Sequence, residues 1–272
     1  MSLVGAFQTT YSSPGQSRRA IIIWSLAGLI SIAFTVLAFF PAAWMMVLVE
    51  SASAGRFTLG DAQGTLWRGS AFIGASPDGN HPASPLLPGR FSWQLSPMLL
   101  LGVVDARLEN ADALSKPVSV TGNWHQWLVS PATIQLPAER LVALDAPLNT
   151  LQPSGQMKLA WQSLQLTEQG GKVDVGGTMD LEIDNLSSRL SPVKPLGSYN
   201  LALNWQGSQA AIQLASTKGP MLLSGSGLFK NGHLQFKGTA RAQVGQEQKL
   251  ANFLNLLGQH GNEKDVIVLE FK

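Results

Sequence analysis

Catalysis and metal binding need particular side chains at set spacings, and this sequence supplies few of them. It contains no cysteine, which excludes disulfides, Cys-zinc sites and thiol nucleophiles. The four histidines, His81, His125, His233 and His260, are scattered. None falls at the HxH or HExxH spacing that brings two imidazoles to one face around a metal, and all four read as solvated loop residues. There is no Gly-x-Ser-x-Gly elbow, no Gly-x-Gly-x-x-Gly turn and no Walker loop. Gly225-Ser226-Gly227 is too short to cradle a phosphate and reads as strand curvature. Asp180, Glu182 and Asp184 alternate along one face of an expected strand. A strand sets alternate residues about 6.6 Å apart, too far for three carboxylates in a row to chelate well. They read as a wet face, or as charges that discourage pairing on an edge strand. The sequon Asn185-Leu186-Ser187 reads as a chance match. No nucleophile has a recognisable base partner, so no catalytic residue, metal, cofactor or small-molecule substrate is expected.

The chain is instead generous in tryptophan, with eight residues. Trp24 and Trp44 lie near the two ends of an apolar stretch, where indoles favour a membrane interface. Trp93, Trp161 and Trp205 fall on the apolar faces of strand patterns and are expected in the core. Trp124 and Trp127 flank His125 in a polar stretch, and with Trp67 they are candidates for a contact surface, where tryptophan is enriched.

The elements that must position these residues divide the chain in three. Residues 1–19 are a polar tail ending in Arg18-Arg19. Residues 20–49 begin with an uncharged run, Ala20 to Phe40, whose roughly 20 residues at about 1.5 Å each match a bilayer core of about 30 Å. Glu50 is the first charge after it. The positive-inside rule then puts the tail in the cytoplasm and residues 50–272 outside. The apolar run is longer than the roughly 7–15 residues of a cleaved signal, so an anchor is expected even though the small residues Ser51 to Ala54 would suit cleavage. The net charge is +2, and without Arg18 and Arg19 the two signs balance, so the basic footprint of a nucleic-acid partner is missing.

Residues 50–272 carry strand signals to the end. Phe91 to Leu95, Met179 to Asp184 and Tyr199 to Gln206 alternate apolar and polar, which buries one face and wets the other. Met157 to Trp161 starts in phase and slips at Gln162-Ser163, where a β-bulge is expected. Asn231-Gly232 is the preferred type I′ pair of a hairpin. Ser76 to Arg90 reads as a surface loop. A short helix is expected within Pro137 to Leu151, where Leu141, Leu144 and Leu148 are helically spaced. A better one runs from Glu247 to Leu257, with Leu250, Phe253, Leu254 and Leu257 at i, i+3, i+4 and i+7 and Gly258 to stop it. Val266 to Phe271 is a terminal strand. The fold class is mainly β: one N-terminal transmembrane helix, then a curved antiparallel sheet domain with about two short helices.

Several short motifs come in a characteristic order. Gly64-Thr65-Leu66-Trp67-Arg68-Gly69 follows the span. Pro195-Leu196-Gly197-Ser198-Tyr199 precedes a strand, then come Gly219-Pro220 through Gly225 and Gly227, and Phe236-Lys237-Gly238. In this order and spacing the chain resembles the type II secretion system protein N family, also called general secretion pathway protein N. The resemblance implies a non-enzymatic inner-membrane component of the machine that exports folded proteins across the outer membrane. Its implied partners are the inner-membrane platform or the secretin, with lipid touched by the one span. The Gly-x-Leu-Trp-x-Gly stretch is also similar to AsmA-type proteins, which implies as an alternative a β groove that handles lipid or another hydrophobe.

Overall fold

The computed structural model describes residues 18–53, 55–75, 84–143, 148–230, 233–260 and 266–271. The chain divides into two compact units between Phe40 and Pro41.

The first unit is helix α1, Arg18–Ala38. Its stretch Ala20–Ala38 has a mean hydropathy of 2.4 and is long and apolar enough to cross a membrane. Pro41 cannot donate into a helical ladder and disfavours helix at the residue before it, so α1 does not run on into the next helix.

The second unit opens with helix α2, Ala43–Ala52, which packs along the first strand. The sequence expectation of one anchor over 20–49 therefore meets two helices, the second belonging to the sheet unit. The strands follow as β1 Phe57–Gly64, β2 Arg68–Ala75, β3 Ser84–Pro85, β4 Phe91–Leu95, β5 Val103–Glu109, β6 Val118–Asn123, β7 Gln126–Val129, β8 Ala132–Pro137, β9 Pro153–Trp161, β10 Leu164–Gln169, β11 Lys172–Ser188, β12 Gly197–Gly207, β13 Gln209–Lys218, β14 Met221–Lys230, β15 His233–Ala242, β16 Gln259–His260 and β17 Val266–Phe271. Between them lie 3-10 turns at Pro97–Leu101 and Ala138–Ala143 and the helices α3 Leu148–Leu151 and α4 Glu247–Leu257.

Every strand pairing is antiparallel, and neighbours in space are near neighbours in sequence: β1–β2–β4–β5–β6–β7, then β7 and β8 on β10 and β9, both of these on β11, and onward through β12, β13, β14 and β15 to β17. Among the described residues β1 and β17 do not pair with each other, so the sheet is open. Short connections favour this meander because each strand finds its partner at little loop-closure cost.

The local expectations met the structure closely. The break at Gln162-Ser163 is a bulge: three residues, 162–164, face two on β11, between the pairs Trp161–Met179 and Gln165–Gly176. Helix α4 and strand β17 have the expected bounds, with Leu250, Phe253 and Leu254 buried. The turn Asn231-Gly232 lies outside the described residues, although Lys230 pairs with His233 on either side of it. Leu144 and residues 76–83 of the expected loop also lie outside them. Within 137–151, where a short helix was expected, the described residues form the 3-10 turn Ala138–Ala143 and α3. The edge-strand reading of Asp180, Glu182 and Asp184 is corrected. Their strand, β11, is hydrogen-bonded on both sides, and Glu182 faces its cross-strand partner Lys158 at 3.1 Å. Their charges line an interior strand's wet face and guard no edge.

The largest core lies where α4 covers β15 and β17. It gathers Leu196, Tyr199, Met221, Ala240, Leu250, Phe253, Leu254 and Ile267. A smaller one joins Ala42, Ala71 and Trp93 under α2 and β1.

Candidate functional site: the end of the sheet carrying Trp67 and Trp124

The stretch Gly64 to Gly69 closes the β1–β2 hairpin, and its glycines act by leaving room. Gly64 sits at φ +88, where a Cβ would stand 2.4 Å from the Arg68 carbonyl oxygen. A Cβ on Gly69 would meet the Trp93 indole at 2.5 Å. The indole lies in that space, and its Nε1 donates to the Leu66 carbonyl at 3.0 Å. Thr65 accepts the Arg68 amide on its Oγ1 and donates its own amide to the Arg68 carbonyl. The chain enters the sheet here: Pro41 bridges to Thr65, and the Ala42 amide donates to the Gly64 carbonyl at 3.1 Å. Trp67 is half-buried, and its carbonyl accepts from Leu95 at 2.7 Å. The motif thus fastens the sheet's first hairpin to the chain's entry point and seats a core indole. Nearby, Arg90 pairs with Asp61, stacks 4.5 Å over the Phe72 ring and reaches the Ser70 hydroxyl. Hydrogen bonds from Gln63 and Arg90 hold the Asp61 carboxyl below its ordinary pKa.

The same end carries a second feature that the sequence reading did not single out. The β4–β5 connection Pro97–Leu101 is a 3-10 turn fixed at both ends. The Ser96 hydroxyl accepts the Met98 amide, and Gly102, at φ +90, donates to the Leu99 carbonyl. Trp124, in the β6–β7 turn, donates its Nε1 to that same Leu99 carbonyl at 2.8 Å. The Trp124 turn is itself pinned by Asn123, whose Oδ1 accepts the amides of His125 and Gln126 at 2.9 Å. Two hairpin ends are thereby locked into one rigid tip, and the side chains it presents are apolar: Met98, Leu100, Leu101, Val103 and Trp124 are all at least half exposed, Leu101 at 78%. The signal available in sequence was a run of five apolar residues, Pro97 to Leu101, at a position where a hairpin turn would ordinarily be polar. Trp127, by contrast, lies within β7 and is half-buried.

The motif residues of the second half lie elsewhere and hold the core. Lys194–Pro195 is a cis peptide. Leu196 is buried, and the Tyr199 hydroxyl donates to the Met221 carbonyl at 3.0 Å. Burial pushes the Tyr199 phenol well above the usual tyrosine pKa. A Cβ on Gly219 would come 2.3 Å from the Gly197 Cα, so two backbones touch where glycines face. Pro220 accepts the Gln243 amide. The Phe236 ring lies over Gly225, Gly227 and Gly238, all within 3 Å of where their Cβ atoms would be, and is buried there. Trp93 is in the core as expected; Trp161 is half-buried, its Nε1 donating to the Ser130 carbonyl, and Trp205 stands edge-on to Phe229.

His125 and His233 are exposed, and no group of three metal-ligating side chains occurs among the described residues. His81 and the side chain of His260 lie outside them. An apolar cavity of about 300 Å³ remains beneath α4, with Ser187 and Ser188 as its polar lining among the described residues, beside residues such as Leu141, Met157 and Phe253.

A family model described as type II secretion system (T2SS), protein N matches residues 55–269. No curated protein and no solved structure matches.

Proposed function

The chain belongs to the type II secretion system protein N family and so is a component of that secretion machinery; from this premise we propose that it is anchored in the inner membrane by α1 and works in the periplasm by contact, not by catalysis. The observation that carries the reading is the pairing of that family match with the uncharged 19-residue stretch Ala20–Ala38 of α1 ahead of it. Arg18 and Arg19 precede that stretch and Glu50 is the first charge behind it, which favours a cytoplasmic N-terminus and a periplasmic sheet unit. Tethering confines the sheet unit to a layer beside the membrane and raises its effective concentration toward other anchored components, so weak contacts suffice. Trp67 in the β1–β2 turn and Trp127 within β7, both half-buried, are the residues from which protein contacts are sought first.

The reading is tested by topology and by neighbours. A reporter active only in the periplasm, fused after Lys272, is expected to be active. Photo-crosslinkers at Trp67 and Trp127 in a secreting strain are expected to give reproducible adducts with platform proteins or the secretin. Lipid adducts alone, from positions lining the cavity beneath α4, would shift the reading to a hydrophobe-handling protein.

A further inference from the structure

The apolar tip has a defined place in the sheet. Pro41, the first residue of the sheet unit, bridges to Thr65 in the β1–β2 turn. Antiparallel register then brings further turns to this same end. Arg68 pairs with Gln94, so β4 ends here; Leu95 pairs with Ala106, so β5 starts here; Val103 pairs with Asn123, so the β6–β7 turn returns here. The tip therefore crowns the end of the sheet at which the chain arrives from α1, and Pro41 lies only three residues beyond the last residue of that helix. Three residues span at most about 11 Å.

We propose that this tip is a second, peripheral membrane contact, which inserts Leu100, Leu101 and the Trp124 ring into the lipid surface from which α1 emerges. The proposal rests on the reading of α1 as a span, and its test separates the two. Three observations favour lipid over a protein partner. First, no residue from 96 to 104 carries a charge, and from 117 to 129 the only titratable side chain is His125. Second, key polar groups of the tip are already used: the Met98 amide by Ser96, the Leu99 carbonyl by Gly102 and Trp124, the indole Nε1 by Leu99. The acyl region below the headgroups offers few partners for unsatisfied backbone and favours such closure, whereas a protein interface exchanges hydrogen bonds with its partner. Third, the tip is an exposed turn at an end of the sheet, suited to entering a headgroup layer to about 5–10 Å, as amphipathic membrane segments do. Trp44, in the first turn of α2 beside Pro41, is exposed at the same end. Among the described residues, the turns farther along this end, Gly170-Gly171 and Gly207-Ser208, present no large apolar side chain.

The native absence of cysteine allows a direct test in the full chain. Leu101→Cys, Val244→Cys and Ile30→Cys are each labelled with an environment-sensitive fluorophore in protein reconstituted into vesicles of phosphatidylethanolamine and phosphatidylglycerol. Val244 is more exposed than Leu101 but follows β15 at the opposite end of the sheet. The expected result is a blue-shifted emission from positions 101 and 30, lost to quenchers carried on lipid acyl chains, while position 244 is quenched only by aqueous iodide. If position 30 reports lipid and position 101 reports water, the inference is overturned while the span stands. If position 30 also reports water, the reading of α1 as a span is overturned and the inference with it.

Discussion

The two ends of the strand order treat apolar side chains in opposite ways. At the α4 end, Leu196, Tyr199, Met221, Leu250, Phe253, Leu254 and Ile267 form one buried cluster beneath the helix. At the entry end the core is three buried residues, Ala42, Ala71 and Trp93, and beside it Leu100, Leu101 and Trp124 stand in solvent. Burying a large apolar side chain contributes about 1.5–3 kcal/mol. The first region uses that term for its own stability. The second leaves it unspent on a rigid tip, available to whatever covers the tip. Holding and contacting are thus divided between two parts of one continuous sheet.

The largest effect that could break this comparison is in the core. Phe253→Ala is expected to destabilise the detergent-solubilised full chain by about 3–5 kcal/mol in chemical denaturation, whereas Leu101→Ser is expected to change it by no more than about 0.5 kcal/mol. Equal losses would mean that the tip is packed and not displayed. Next is the entry turn. Gly69→Ala forces a methyl against the Trp93 indole and is expected to cost about 1–3 kcal/mol, visible also as a change in tryptophan emission.

A similar loss, about 1–3 kcal/mol, is expected of Tyr199→Phe, which leaves the Met221 carbonyl without its donor. The phenol also sharpens the contrast by pH. Its pKa is raised in the folded chain, so its contribution is complete below the ordinary tyrosine pKa and is lost as the pH rises above it. The alkaline limb of the stability profile is expected to flatten in Tyr199→Phe. The smallest effect is the mirror case at the entry end. Asp61 is lowered by Gln63 and Arg90, so its contribution is complete above the ordinary carboxylate pKa and is lost as the pH falls below it. Asp61 is fully exposed, and Asp61→Asn is expected to alter only the acid limb, slightly.

What was legible in the sequence were periodicities. Alternation marked β4, β11 and β12, the i, i+3, i+4, i+7 pattern of Leu250 to Leu257 marked α4, and the slip at Gln162-Ser163 marked the bulge, because each is a local consequence of burying one face. Helix α2 was not separated from the anchor, since residues 41–49 are as uncharged as the span and only Pro41 marks the break. The edge-strand reading of Asp180, Glu182 and Asp184 failed because alternation reveals a wet face and says nothing of how many neighbours a strand has. The site was half legible. Their polar surroundings marked Trp124 and Trp127 together as candidates for an exposed indole, and the exposed one is Trp124, but its bond to Leu99 joins residues 25 apart in sequence, and no local pattern could have assembled the tip. The contact of Gly197 with Gly219 was hidden for the same reason.

The division between holding and contacting is tested most directly by secretion itself. Export of a native substrate is measured in cells whose only copy carries Leu100→Ser with Leu101→Ser, and in cells whose only copy carries Val244→Ser, with each protein present at the wild-type amount. The tip variant is expected to lose most of its secretion while the Val244 variant, changed at a still more exposed site at the opposite end, keeps it. Full secretion by the tip variant would contradict the account.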